Sequence, residues 1–417
     1  MSSSTVDPRA AAPAAGRWRV AVAGALALGV AMGIGRFAFT PLLPMMLHDG
    51  VIDLATASWM ASANYMGYLV GALLCTFQPW IWRRLPRLPA VVPARMVRAG
   101  LVATCGLTLG MAWHLPAAWP LWRFMAGVAS AVVFIYTSGW CLARLARLGV
   151  PAMGGFIYAG PGAGIVLSGL FASAMVVWER SAAEAWLVFG TLAVALTALV
   201  WRVFEGPANA TASTTAAAPG AALPGVHVDG RRQLGLLTFA YGLAGFGYII
   251  TATFLPVIAR EALPGSPWIQ LFWPIFGLGV MLGAMLATRV SSSDDMRRWL
   301  AGCYVLQAAG VLASVVSPSL PGFALGSLML GLPFTAITFF AMQEVRRLKP
   351  VAPASAMGLL TAMYGLGQIV GPPLVAMLIR RSATAGQGFT LSLEIAAAAL
   401  LAGAALYVWM VRRHPLH

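Results

Sequence analysis

The residue best able to do chemistry in this sequence is an arginine inside an apolar run. Arg36 lies in GIGRFAFTPLLPMM, residues 33–46, with Gly33 and Gly35 just before it and Pro41 and Pro44 just after. A guanidinium is always charged and presents a planar fork of donors that matches a carboxylate or phosphate. Facing an internal chamber, it would bind an anionic group. Facing elsewhere, it would pair with a backbone carbonyl near the Pro41 kink or snorkel outward. Thr40, in the same run, is a second candidate for lining such a chamber.

A few other polar groups interrupt apolar stretches. Arg123 could tune a proton-carrying acid, join Arg36 in attracting an anion, or anchor an interface beside Trp119 and Trp122. Glu394 is an isolated acid that burial would make a proton carrier, with a structural pairing as the alternative. Glu344, beside Gln343, carries a proton or pairs with Arg346 or Arg347. Asn64, Tyr248, Tyr364 and Gln368 are cavity candidates or helix–helix hydrogen-bonding groups. No Walker loop, His-rich metal cluster or nucleophile–base arrangement appears, so neither metal, cofactor nor catalysis is expected. The cysteines, Cys75, Cys105, Cys141 and Cys303, fall in apolar stretches without ligand or redox spacing and read as core residues.

The elements that hold these residues follow from composition. The chain is 60 % hydrophobic and 9 % charged, whereas a water-facing domain carries about a quarter charged residues. It must therefore sit in lipid. The net charge of +15 does not point to nucleic acid, because the arginines come in twos and threes between apolar runs rather than as a basic stripe. A lipid-crossing helix needs roughly 20 apolar residues. That length gives about twelve spans, near 19–47, 55–78, 90–113, 117–143, 152–178, 184–203, 234–258, 268–288, 298–317, 321–343, 356–379 and 390–411. The first is too long for a secretory signal and is expected to be retained.

Residues 1–18 read as a disordered tail, 19–204 and 233–411 as two six-helix bundles, 205–232 as a flexible linker and 412–417 as a tail. With the N-terminus in the cytoplasm, cytoplasmic segments collect nineteen Arg and Lys; the opposite loops hold Arg180, Arg260, Arg380 and Arg381. Positive residues favour the inside, so both termini are expected in the cytoplasm.

The chain also repeats itself. A shift of 212 lays GIGRFAFTPLLP over GFGYIITATFLP, pairing Gly33 with Gly245, Gly35 with Gly247, Pro44 with Pro256 and Arg36 with Tyr248. The same shift lays GYLVGALL (67–74) over GVMLGAML (279–286), and a shift of 204 brings Gly127 to Gly331 and Met153–Gly154 to Met357–Gly358. Six spans separate the copies, so both halves have one orientation, related by an axis along the membrane normal. The glycines then serve close helix packing, and Pro44 and Pro256 bend the first helix of each half.

GIGRFAFTPLLPMM resembles the first-helix signature of the YbfB/YjiJ-type family in the major facilitator superfamily. RFMAG (123–127) resembles that superfamily's fourth-helix pattern. AGPGAG (159–164), with Gly160 and Pro161, resembles a fifth-helix pattern often described for antiporters. FQPWIWRRLP (77–86) departs from the superfamily's charged loop, keeping Arg83 and Arg84 without an acid. The resemblance implies an all-α, twelve-helix carrier of the bacterial inner membrane that works by alternating access, a monomer moving a small molecule with a proton or another ion. The arginines and the scarcity of intramembrane acids point to a small organic anion. Proton-coupled efflux of an apolar or cationic compound, and a non-transporting sensor or channel, are the alternatives.

Overall fold

The computed structural model describes residues 8–85, 89–205, 230–290, 294–350 and 353–416, all of it helix and connecting turn without a strand. The helices are α1, with its apolar part at Gly16–His48, α2 (Leu54–Arg84), α3 (Pro93–Gly110), α4 (Trp119–Arg147), α5 (Gly160–Val177) and α6 (Ala182–Trp201). After residues 206–229 follow α7 (Gly230–Ala262), α8 (Phe272–Ala287), α9 (Met296–Val316), α10 (Leu320–Leu348), α11 (Ala354–Arg381) and α12 (Ala385–Arg413). Most of the stretch 205–232 expected as a linker lies outside the described residues. The first helix begins at Pro8, inside the stretch read from composition as a tail.

Eleven helices among the described residues are long and apolar enough to cross a membrane. The span expected over 90–113 is the departure. It is the 18-residue α3, ~27 Å long, opened by Pro93 and carrying Arg95 and Arg98 in its first two turns. Helix starts elsewhere are set by side chains that accept the free backbone N–H groups. Asp53 accepts from the Thr56 N–H at 2.7 Å before α2, and that hydrogen bonding holds its carboxyl below the usual range. Ser181 and Glu184 form a reciprocal capping box before α6.

Small residues set how closely the helices pack. A Cβ on Gly67 or Gly71 of α2 would run into the Phe124 or Val128 carbonyl of α4; one on Gly279 or Gly283 of α8 would meet the Leu328 or Leu332 carbonyl of α10. Gly127 is pressed against Asn64 O, and Gly331 against Phe276 O. Each first-half contact maps onto its second-half counterpart by the shifts 212 and 204, so the repeat in the sequence is a repeat in packing. Large apolar side chains such as Trp59, Leu74, Val177, Leu199 and Val316 are left exposed on the outside, as a lipid-facing surface requires.

The two sets of six meet where α1 packs on α7, α2 on α11 and α5 on α8. Each set also carries an arginine that fixes its last helix. Arg98 of α3 donates to Trp201 O at the end of α6 through Nε and Nη2, at 3.2 and 2.9 Å. Arg297 of α9 donates to Met410 O of α12 at 3.4 Å. A cation at a helix C-terminus meets the negative end of the helix dipole.

Candidate functional site at the centre of the two helix sets

The site begins with the way α1 departs from an ordinary helix. Gly29–Arg36 is π-helical, and Pro41 has no N–H to give the preceding turn. Phe37 donates back to Met32 O at 3.0 Å, and Thr40 N donates to Phe37 O at 3.1 Å rather than to Arg36 O. The Arg36 carbonyl therefore needs another donor. Arg123 supplies it, with Nη2 on Arg36 O at 2.8 Å and Nη1 on Gly35 O at 3.1 Å. Asn64 steadies the strut by donating from Nδ2 to Arg123 O at 2.8 Å.

Arg123 is thus turned onto the backbone of α1 rather than toward an interface beside Trp119 and Trp122, with its Nε left unpartnered. It is buried, and both terminal nitrogens are committed to the backbone of α1. The carbonyl pairing weighed for Arg36 belongs to Arg123.

Arg36 itself turns toward the second helix set. Its side chain is 4 % exposed and donates from Nη2 to Gln368 Oε1 of α11 at 2.8 Å. Gln368 in turn donates from Nε2 to the Tyr248 hydroxyl of α7, so the residue that aligns with Arg36 in the repeat faces it through one amide. The guanidinium carbon lies 3.9 Å from the ring centre of Tyr68 and 5.4 Å from that of Tyr65, within cation–π range. Its Nε has no hydrogen-bond partner. Neither Arg36 nor Arg123 belongs to an ion pair among the described residues. Two guanidinium groups are therefore held buried among the helices without a carboxylate in ion-pair range.

Rings make up the rest of the shell. Tyr364 stacks on Tyr248 at 5.7 Å and on Tyr241 at 4.7 Å. Phe334 of α10 meets Tyr248 edge-on at 5.0 Å and Phe37 at 6.1 Å. Tyr65 and Tyr68 of α2, and Phe334, are the residues that sequence reasoning missed. An aromatic in an apolar helix carries no signal of its facing until the neighbouring helix is placed.

The prolines make hydrogen-bond acceptors. Pro256 cannot donate to Ala252 O, and Pro373 cannot donate to Ile369 O. Thr40 donates to Ala252 O and Ser62 to Ile369 O, each at 2.9 Å across the two helix sets. Tyr65 and Thr253 join hydroxyls at 2.8 Å, and Ser173 reaches Gln270 O at 3.3 Å. All lie toward the ends of the helices away from the chain termini, so the sets are sealed on that far side. Tyr68, Phe334 and Tyr364, on the other side of Arg36, are half-buried.

The two acids fall elsewhere. Glu394 is on the outer, exposed face of α12, outside the cluster around Arg36. Glu344, fully buried at the terminal end of α10, accepts from Arg347 Nε at 2.9 Å and faces Arg297 Nε at 3.8 Å. Asp295 takes Arg297 in a bidentate pair at 2.8 and 2.9 Å. Burial would push the Asp295 carboxyl up, but the arginine fork outweighs it and holds it below the ordinary value. The acid missing from 77–86 thus has a counterpart in the second half. AGPGAG is accounted for by packing: Gly160 and Gly164 lie on the backbone of α1 at Ala25 and Gly29, and Gly162 on that of α8 at Gly277.

This fold and this centre define a multi-pass membrane transporter. Residues 28–408 match the family described as uncharacterised MFS-type transporter YbfB. The chain belongs to that family, in line with the resemblance carried by the first-helix signature. Among solved structures it is similar to the nucleoside transporter NupG. A point mutant of NupG matches with a TM-score of 0.69 at 15 % identity over 94 % of this chain and 99 % of that one. Another NupG structure gives 0.65 at 15 % identity over 95 % and 99 %. At that identity the likeness speaks for the fold alone. No curated protein matches the chain.

Proposed function

We propose that this protein is a secondary carrier for a small organic anion, working by alternating access in a bacterial inner membrane with both termini in the cytoplasm. The observation that carries the reading is Arg36, buried where the two helix sets meet, with an unpartnered Nε and without a carboxylate. Keeping a charge in a water-poor centre is costly unless something compensates it. A substrate carboxylate does so and makes charge-assisted hydrogen bonds that a neutral amide does not. The far-side seal and the half-buried rings on the terminal side support a state open toward the cytoplasm.

Coupling is by protons or by exchange, and the carrier acts as a monomer. Among the polar groups proposed for the site, Arg36, Gln368, Tyr248, Thr40 and Tyr364 belong to it or its seal, while Asn64 and Arg123 position α1 and α4. Proteoliposomes holding the wild-type protein are expected to take up or exchange carboxylates, with a dependence on an imposed pH gradient if protons are coupled. Arg36→Ala is expected to abolish that flux. Flux of neutral or cationic compounds only, equal in wild type and Arg36→Ala, would overturn the reading. A nucleoside, named for the structural neighbours, is the neutral compound to include.

A further inference from the structure

Taking the central Arg36 cluster as the substrate site, we infer that its substrate is a planar aromatic monocarboxylate. Three features lead there. The first is charge. Arg123 has both terminal nitrogens on backbone carbonyls and only its Nε open, whereas Arg36 has an open Nε beside an Nη2 held by an exchangeable amide, so Arg36 is the one with an edge for a two-pronged anion contact. A second carboxylate on the substrate would be desolvated with no cation to meet it.

The second is the shape of what Arg36 now holds. A carboxamide lies against the guanidinium, its oxygen 2.8 Å from Nη2. A carboxylate is the same planar three-atom group with an acceptor in place of the NH2. It would displace Gln368 from the guanidinium and reach the open Nε as well, giving the two-pronged pairing that arginine favours. Gln368, released from the guanidinium, would keep its Nε2 on the Tyr248 hydroxyl.

The third is the wall. Beyond the amide, the surroundings are rings: Tyr68 against the guanidinium, and Phe334, Tyr248 and Tyr364 edge-on or stacked in sequence. A flat ring attached to the carboxylate continues this arrangement with offset or edge-to-face contacts. A saturated ring of equal volume has hydrophobic burial without those contacts. The half-buried state of Tyr68, Phe334 and Tyr364 leaves part of that wall accessible.

The test is calorimetric titration and thermal shift on the purified full chain with benzoate, cyclohexanecarboxylate, terephthalate, benzamide and uridine. Benzoate is expected to raise the melting temperature and to bind about tenfold more tightly than cyclohexanecarboxylate, with terephthalate weaker than benzoate and benzamide without effect. Phe334→Leu, or Tyr364→Leu should the first not fold, is expected to erase the benzoate preference while keeping cyclohexanecarboxylate binding. Gln368→Ala, which removes the competing amide, is expected to tighten benzoate severalfold; a purely structural glutamine would not do so. Equal or tighter binding of cyclohexanecarboxylate in the wild type would overturn the aromatic class and leave the organic-anion carrier standing. Binding of benzamide or uridine alone, or of none of the five, would overturn both.

Discussion

The hydroxyl of Thr40 donates to the carbonyl of Ala252 at 2.9 Å, and the two residues are 212 positions apart, the shift that superposes the halves of the sequence. α1 and α7 therefore cross where each copy meets its own counterpart, as they must if an axis along the membrane normal relates them. The acceptor exists because Pro256 has no N–H to give it. The bending residue of one half and the hydroxyl of the other form a single device.

Replacing Thr40 by Val leaves Ala252 O buried and unpaired, a loss of roughly 1–3 kcal/mol. Pro256→Ala supplies an intrahelical donor to the same oxygen. The double variant is therefore expected to lose less stability than the sum of the singles, with coupling read from a double-mutant cycle of chemical denaturation in detergent. Strict additivity would show that the proline and the threonine act independently.

Arg123→Lys keeps the charge but offers one compact ammonium where two carbonyls need a fork. At least one carbonyl of the π-helical turn is then stranded, at roughly 1–3 kcal/mol. The melting temperature is expected to fall, while ligand specificity at Arg36 stays as in the wild type. A changed specificity at unchanged stability would make Arg123 a ligand-binding group instead.

Glycine-to-alanine scanning separates the two kinds of glycine. At Gly283 a Cβ collides with the Leu332 carbonyl, whereas at Gly106 and Gly302, both inside helices, nothing lies within 4 Å. Gly283→Ala is expected to destabilise clearly. Gly106→Ala and Gly302→Ala are expected to be neutral or to stabilise by up to about 1 kcal/mol, through helix propensity and a less flexible unfolded chain. Thermal melts of the three variants decide this.

The Arg297 cluster predicts an acid limb. The folded carboxyl of Asp295 is held below its unfolded value, so its contribution to stability is present above that unfolded value and is lost as pH falls through the depressed one. Asp295→Asn is expected to flatten the acid side of a stability-versus-pH profile. Glu344→Gln leaves the buried Arg297 with Asp295 as its carboxylate partner and is expected to lower the melting temperature while keeping the acid limb set by Asp295. A profile unchanged by Asp295→Asn would show that the pair is not felt in the folded state.

The all-helical membrane fold, the internal repeat and the family were legible because they depend on composition, a fixed offset and a fourteen-residue signature. Arg36 was legible because a charge in an apolar run has few explanations. The role of Arg123 was not, because it answers carbonyls left unpaired by the π-helical turn, and helix type does not follow from apolar periodicity. The third span was overdrawn because a length rule treats Arg95 and Arg98 as lipid-compatible, whereas Arg98 turns to the end of α6. Glu394 drew attention by its isolation, yet isolation along a sequence says nothing of which way a helix face points. The ring shell was hidden because Tyr65, Tyr68 and Phe334 come from two helices far apart in the chain.

At the crossing of α5 and α8 two glycines bring the backbones of the helix sets together, with the side chains of Met281 and Ile165 packed beside them. A Cβ on Gly162 would meet Gly277 O at 2.7 Å, and one on Gly277 would meet Gly162 O at 2.9 Å. Apolar side chains, those of Met281 and Ile165, flank this backbone contact, and among the described residues no hydrogen bond would have to break for one bundle to roll on the other here. The hydroxyl bonds at the far rim sit a lever arm away and must change partners. In a rocking carrier the work of switching would thus fall on the rim, where a ligand can influence it, while the bearing itself stays unaltered.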